Sequence, residues 1–209
     1  MRIYAVADLH GSQHRLNVVL KHIEAIQPDL VVICGDLTQF GPADQAKQFL
    51  DQIPVDTFAV PGNIDPVDVG TAITQSKAEN LDLRCLKHHH ISFIGSGGDL
   101  PDDLGSILIR VNSAAYPLPE VLDAQSVLVT HVPPHGVQDT VFFGHHIGHK
   151  PLRELIEKVH PCLVLCGHVH EDPGFSRIGS TTVVNCSIGK RTEGAVINIS
   201  DTIQVEILD

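Results

Sequence analysis

The 209-residue chain carries 14 Lys and Arg against 25 Asp and Glu, and its net charge of -11 argues against a broad electrostatic grip on nucleic acid. Its 43% hydrophobic content excludes a disordered chain. A single domain over 1–209 is expected, because no linker interrupts the pattern and the length allows one sizeable core.

In chain order, residues 3–7 form a short apolar run without polar alternation, which predicts a strand buried on both faces. Behind it Leu16, Val19, Leu20, Ile23 and Ile26 recur at helical spacing until Pro28 closes the segment. A second buried strand is expected over 30–34, a helix over 43–52, a third strand over 57–60, and a helix opened by Pro66 that runs toward Lys77. Strand–helix units in succession imply parallel strands joined by right-handed crossovers. Beyond Leu81 the pattern changes to short strands over 83–86 and 91–94, the second ending at Gly95-Ser96-Gly97-Gly98, where Gly97-Gly98 reads as a turn. Buried strands over 127–130 and 162–166 flank a helix over 151–159, with Leu152, Leu155, Ile156 and Val159 on one face. Strands over 181–185, 194–199 and 203–208 are expected to make an antiparallel finish. The fold class is therefore read as α/β: a four-layer αββα sandwich, two mixed sheets packed face to face with helices outside.

Five of these apolar runs end in residues that bind hard divalent metals. Asp8-Leu9-His10, Gly35-Asp36, Gly62-Asn63, His131 and Gly167-His168-Val169-His170 each stand just after a predicted strand. Ligands of open α/β sheets gather beyond the carboxyl ends of the strands, so these residues are expected to converge at one rim. The set resembles, in order, the DxH, GD, GNH[DE], H and GHxH motifs of the calcineurin-like metallophosphoesterases, across nearly the whole chain. Thr130-His131-Val132-Pro133-Pro134 and Leu152-Arg153-Glu154-Leu155-Ile156 are similar to its compact prokaryotic branch.

The resemblance implies that Asp8, His10 and His170 bind a first metal, that Asn63, His131 and His168 bind a second, and that Asp36 bridges them. It implies two divalent ions, Mn favoured and Fe or Zn as alternatives, with a bridging hydroxide as nucleophile. Asp36, Asn63, Asp65 and His131 are the candidate catalytic residues. The expected substrate is a small or nucleotide phosphodiester, cleaved by in-line attack, with no membrane partner and with nucleic acid disfavoured by the acidic charge.

One departure bears on the chemistry. Gly62-Asn63-Ile64-Asp65 stands where the family has GNH[DE], and Ile64 can neither donate a proton nor bond a phosphate oxygen. Losing a general acid costs about 10²–10⁴ in rate on a poor leaving group, so diesters or activated esters are expected. Asp65 is left to hold a water or, preferably, to stabilise the turn. Alternatives are a phosphomonoesterase that recruits a loop histidine among His135, His145, His146 and His149, and a non-catalytic interaction scaffold. His88-His89-His90 and the pair Lys190-Arg191 read as solvated, although that pair could reach a distal substrate group. Cys34, Cys85, Cys162, Cys166 and Cys186 form no CxxC pair and suit buried thiols in a reducing compartment. Met1 leads directly into the first strand, and no apolar run approaches spanning length, so a cytoplasmic location is expected.

Overall fold

A computed structural model describes residues 1–189 and 191–209; Lys190, half of the pair at 190–191, lies outside the described residues. The N-terminal half contains β1 (Arg2–Val6), α1 (Gln13–Ile26), β2 (Leu30–Cys34), α2 (Ala43–Leu50), β3 (Thr57–Val60), α3 (Val69–Thr74), β4 (Glu79–Asn80), β5 (Cys85–His88) and β6 (Ile91–Ser96). A hairpin of β7 (Leu108–Val111) and β8 (Ala114–Pro117) and the short α4 (Leu118–Val121) lead to β9 (Val127–Thr130). A second hairpin of β10 (Thr140–Val141) and β11 (His145–His146) precedes α5 (Lys150–Val159). The chain closes with β12 (Leu163–Cys166), β13 (Gly174–Ile178), β14 (Thr181–Asn185), β15 (Ala195–Ile199) and β16 (Ile203–Ile207).

These strands build two six-stranded sheets, in the orders β16-β15-β1-β2-β3-β4 and β13-β14-β12-β9-β6-β5. In the first, β1 to β4 run parallel and β15 and β16 are antiparallel. In the second, β6, β9, β12 and β14 run parallel between antiparallel edges β5 and β13. Both sheets are mixed, and the αββα sandwich is the architecture observed.

Strand alternation explains the layers. Ile3 and Ala5 point into a core between the sheets that also holds Val32, Phe93, Val129 and Leu165. Their neighbours Tyr4 and Val6 point the other way, onto Leu16, Val19 and Ile23 of α1 and Phe49 of α2. A third cluster seats Leu152, Leu155 and Ile156 of α5 against Leu128 and Val164 of the second sheet. Burial on both faces is why β2, β3, β9 and β12 read as unbroken apolar runs.

Three expectations need correction. The strand over 181–185 does not belong to an antiparallel finish: β14 pairs parallel with β12 in the second sheet, whereas β15 and β16 extend the first. The helix expected from Pro66 to Lys77 shrinks to Val69–Thr74, since Pro66 only accepts the turn bond from Val69 N–H and the segment carries the weak helix formers Gly70, Thr71 and Thr74. The strand expected over 83–86 starts at Cys85, because Leu83 takes a left-handed φ of 53° that no strand residue adopts. Among the described residues no helix is long and apolar enough to cross a membrane.

Candidate metal centre

The carboxyl ends of β1, β2, β3, β9 and β12 lead into turns that meet at one rim. Four candidate ligands there, Asp8, His10, Asp36 and His168, have φ of 64°, 49°, 52° and 72°. A non-glycine residue held in that region costs about 1–3 kcal/mol and persists only where its surroundings over-determine it. Here the turns hold one another: Asp8 N–H donates to Gly35 O at 3.0 Å, His10 N–H to Asp36 O at 2.8 Å, and Gly167 N–H to His131 O at 2.9 Å. His168 N–H also donates to Asp8 Oδ2 at 3.1 Å. Gly62 allows the closest approach, since a Cβ there would lie 1.9 Å from Asp36 Oδ1.

Two groups of potential ligand atoms share Asp8: Asp8, His10 and His170, and Asp8, Asp36 and His131, with atoms within 4.8 Å of one another in each. His170 Nε2 lies 3.2 Å from Asp8 Oδ1 and 3.1 Å from His10 Nε2. His131 Nε2 lies 2.9 Å from Asn63 Oδ1, 3.3 Å from His168 Nδ1 and 3.5 Å from Asp36 Oδ1. All the ligand positions expected from the motifs thus join one continuous cluster.

The lone pairs in that cluster are short of protons. His131 Nδ1 donates to Cys34 O at 2.9 Å, so in the neutral ring the lone pair sits on Nε2, facing the oxygens of Asn63 and Asp36. His10 Nδ1 is buried without a hydrogen-bond partner. Bonds of about 2.0–2.2 Å to a divalent ion place neighbouring donors roughly 3.0–3.5 Å apart, which is the spacing found. The residues therefore fit divalent cations.

Burial and mutual charge shift the candidate ligands in both directions. Burial pushes the Asp36 carboxyl up to about 6, aided by the Asp8 charge and opposed by His131. Burial also raises Asp8, but the hydrogen bond from His170 and the charges of His131 and His170 outweigh it and leave Asp8 below the usual carboxylate range. Burial lowers His10 and His168 and so favours their neutral, ligating form. The Asp8 hydrogen bond raises His170.

Asp65 does not face the cluster. Its Oδ1 accepts from Thr38 N–H and Thr38 Oγ1–H, both at 2.8 Å, and its Oδ2 accepts from Leu37 N–H at 3.0 Å and Gly62 N–H at 2.9 Å. It ties the turn carrying Asp36 to the turn carrying Asn63. Of the loop imidazoles, His146 Nδ1 lies 2.6 Å from Asp139 Oδ1, and His149 Nδ1 caps α5 by accepting from Leu152 N–H. His149 borders a cavity with His168, and burial holds it below the usual histidine range. Motif reading passed over Arg15, on the first turn of α1, which donates through Nη1 to the Asp8 carbonyl and borders a cavity beside His10 and His170. It also passed over Phe142, whose place beside His170 depends on a loop.

Comparison with known proteins agrees with this geometry. The calcineurin-like phosphoesterase family model matches residues 1–172, and the chain belongs to that family. The uncharacterized protein MJ1162 of Methanocaldococcus jannaschii is 29% identical over 197 residues, covering 90% of this chain and 88% of that protein. A dimetal phosphatase of Danio rerio superposes with a TM-score of 0.69 at 13% identity, covering 99% of this chain and 95% of that one. An archaeal phosphodiesterase superposes with a TM-score of 0.56 at 14% identity, covering 100% of both chains. Both structural likenesses concern the fold.

Proposed function

We propose that this single-domain protein is a dinuclear metal-dependent phosphoester hydrolase that prefers diesters, acting in the cytoplasm on a small or nucleotide phosphodiester. The observation that carries the proposal is the buried cluster around Asp8, Asp36 and His131, in which the His131 Nε2 lone pair faces the oxygens of Asn63 and Asp36. Asp8, His10 and His170 would hold one ion, and Asn63, His131 and His168 the other, with Asp36 between. The oxygen and nitrogen donors favour Mn, with Fe or Zn as alternatives. When bound, such a pair supplies Lewis acidity, an activated water and a clamp for in-line attack.

The residues themselves do the orienting. The bond from His131 Nδ1–H to Cys34 O fixes which imidazole nitrogen faces the site, and Asp65 sets the spacing of the turns that carry Asp36 and Asn63. The diester preference follows from Ile64, which offers no donor where the family pattern has histidine. A monoester presents three terminal oxygens and a diester two, so the diester leaves fewer oxygens without a partner. His149, capping α5 and kept neutral by burial, is a poor source of the missing proton.

The test is hydrolysis of bis-p-nitrophenyl phosphate beside p-nitrophenyl phosphate, using metal-stripped protein reloaded with Mn²⁺, with Asp36→Asn as control. Diester turnover above monoester turnover, lost in the variant, is expected. Silence on both esters with Mn²⁺ bound would overturn the hydrolase reading, and a monoester preference would overturn the diester part.

A further inference from the structure

A cavity of about 590 Å³ opens beside His170, within the 300–1,000 Å³ range of ligand pockets and larger than a phosphoryl group needs. Val141 and Phe142 form its apolar wall, and Phe142 is 72% exposed. An exposed phenyl ring lining the same cavity as a candidate metal ligand is suited to stacking with a planar ring.

Two arginines, Arg15 and Arg191, line the same cavity, although the chain as a whole is strongly acidic. The ion pairs formed by arginines among the described residues belong to Arg84 and Arg153. Arg15 spends one N–H on the Asp8 carbonyl. A guanidinium has five N–H donors, so most of the capacity of Arg15 is left for other partners. Glu171, exposed at the rim, adds an acceptor for hydroxyl or amino hydrogens, whereas Asp172 Oδ2 is occupied by Thr140 N–H at 3.0 Å.

We infer that this cavity seats a nucleoside group retained on the phosphodiester substrate, its base stacked on Phe142 and its polar edge met by Arg15, Arg191 and Glu171. An apolar face, hydrogen-bond donors and one acceptor match a heteroaromatic base with carbonyl and ring N–H groups joined to a sugar. A simple alkyl ester would leave the guanidinium donors unanswered. The inference rests on the hydrolase reading above, and it makes the pocket the source of substrate selectivity.

The test compares two esters with the same leaving group, thymidine 5′-(p-nitrophenyl phosphate) and methyl p-nitrophenyl phosphate, on the Mn²⁺-loaded protein. The thymidine ester should have a kcat/KM about tenfold higher or more, as stacking on one aromatic face allows. That ratio should fall toward one in Phe142→Ala and drop clearly in Arg191→Gln; the high exposure of Phe142 keeps the fold out of the comparison. By calorimetry, thymidine 5′-monophosphate should bind about tenfold more tightly than inorganic phosphate, with the gap lost in Phe142→Ala. Equal kcat/KM for the two esters, with the nucleotide binding no more tightly than phosphate, would overturn the inference and leave the hydrolase reading standing. No turnover of either ester with Mn²⁺ bound would overturn both.

Discussion

Replacing Asp65 with alanine separates a positioning role from a catalytic one. The carboxylate accepts from the N–H groups of Leu37, Thr38 and Gly62 and from the Thr38 hydroxyl, at 2.8–3.0 Å. A hydrogen bond to a charged group contributes about 1.5–3 kcal/mol, and bonds sharing one acceptor group are not additive, so Asp65→Ala should destabilise the metal-free protein by about 3–5 kcal/mol. Because the clamp joins the turns of Asp36 and Asn63, metal affinity should fall about 10–100-fold, as for other groups that orient ligands. Asp65→Asn should be nearly as damaging, because in either amide orientation an NH₂ group faces donors. Urea unfolding in chelator and calorimetric titration with Mn²⁺ read the two effects separately. A variant within about 0.5 kcal/mol of the parent with unchanged Mn²⁺ affinity, impaired only in turnover, would refute the reasoning.

Gly62→Ala would drive a methyl group to 1.9 Å from Asp36 Oδ1 and 2.2 Å from Asp36 N, so a loss of about 3 kcal/mol or more and of Mn²⁺ binding is expected in the same assays. Asp139 is fully buried, and although burial alone would raise it, the Gly136 N–H, His146 ring and Gly148 N–H hold it below the usual carboxylate range. A folded value below the unfolded one means a stabilising contribution that is present at neutral pH and lost as pH falls below about 4. Asp139→Ala should therefore lower the urea midpoint at pH 7, and the gap from the parent should close in acid; a gap independent of pH would count against this. Mn²⁺ at about 100 times its dissociation constant should stabilise the protein by about 2.7 kcal/mol for each ion held, about 5.4 kcal/mol for two equal sites, reversed by chelator, and an unmoved melting curve would contradict a site formed only on folding.

The parallel core was legible in the sequence because strands buried on both faces leave unbroken apolar runs, as in β2 and β12. Those runs end where the turns begin, so the candidate ligand positions could be read as one rim from their order along the chain. The sheet to which β14 belongs was not legible, since a buried five-residue strand carries no mark of its partner. The strand β13, with three exposed residues among Gly174–Ile178, lacks the apolar signal altogether. Asp65 was readable only as a motif position; its four bonds arise from the meeting of two turns far apart in sequence. Arg15 and Phe142 were hidden for the same reason: one sits on a helix whose spacing reports only its buried face, the other in a loop whose path is set by tertiary contacts.

The most direct test of the account is the number of metal ions held per chain. Equilibrium dialysis of the stripped protein against Mn²⁺, followed by elemental analysis, should give two ions per chain for the parent and one or none for Asp36→Asn, with far-ultraviolet circular dichroism unchanged between them. A parent that binds one ion or none, or an Asp36→Asn protein that still binds two, would contradict the proposed dinuclear centre.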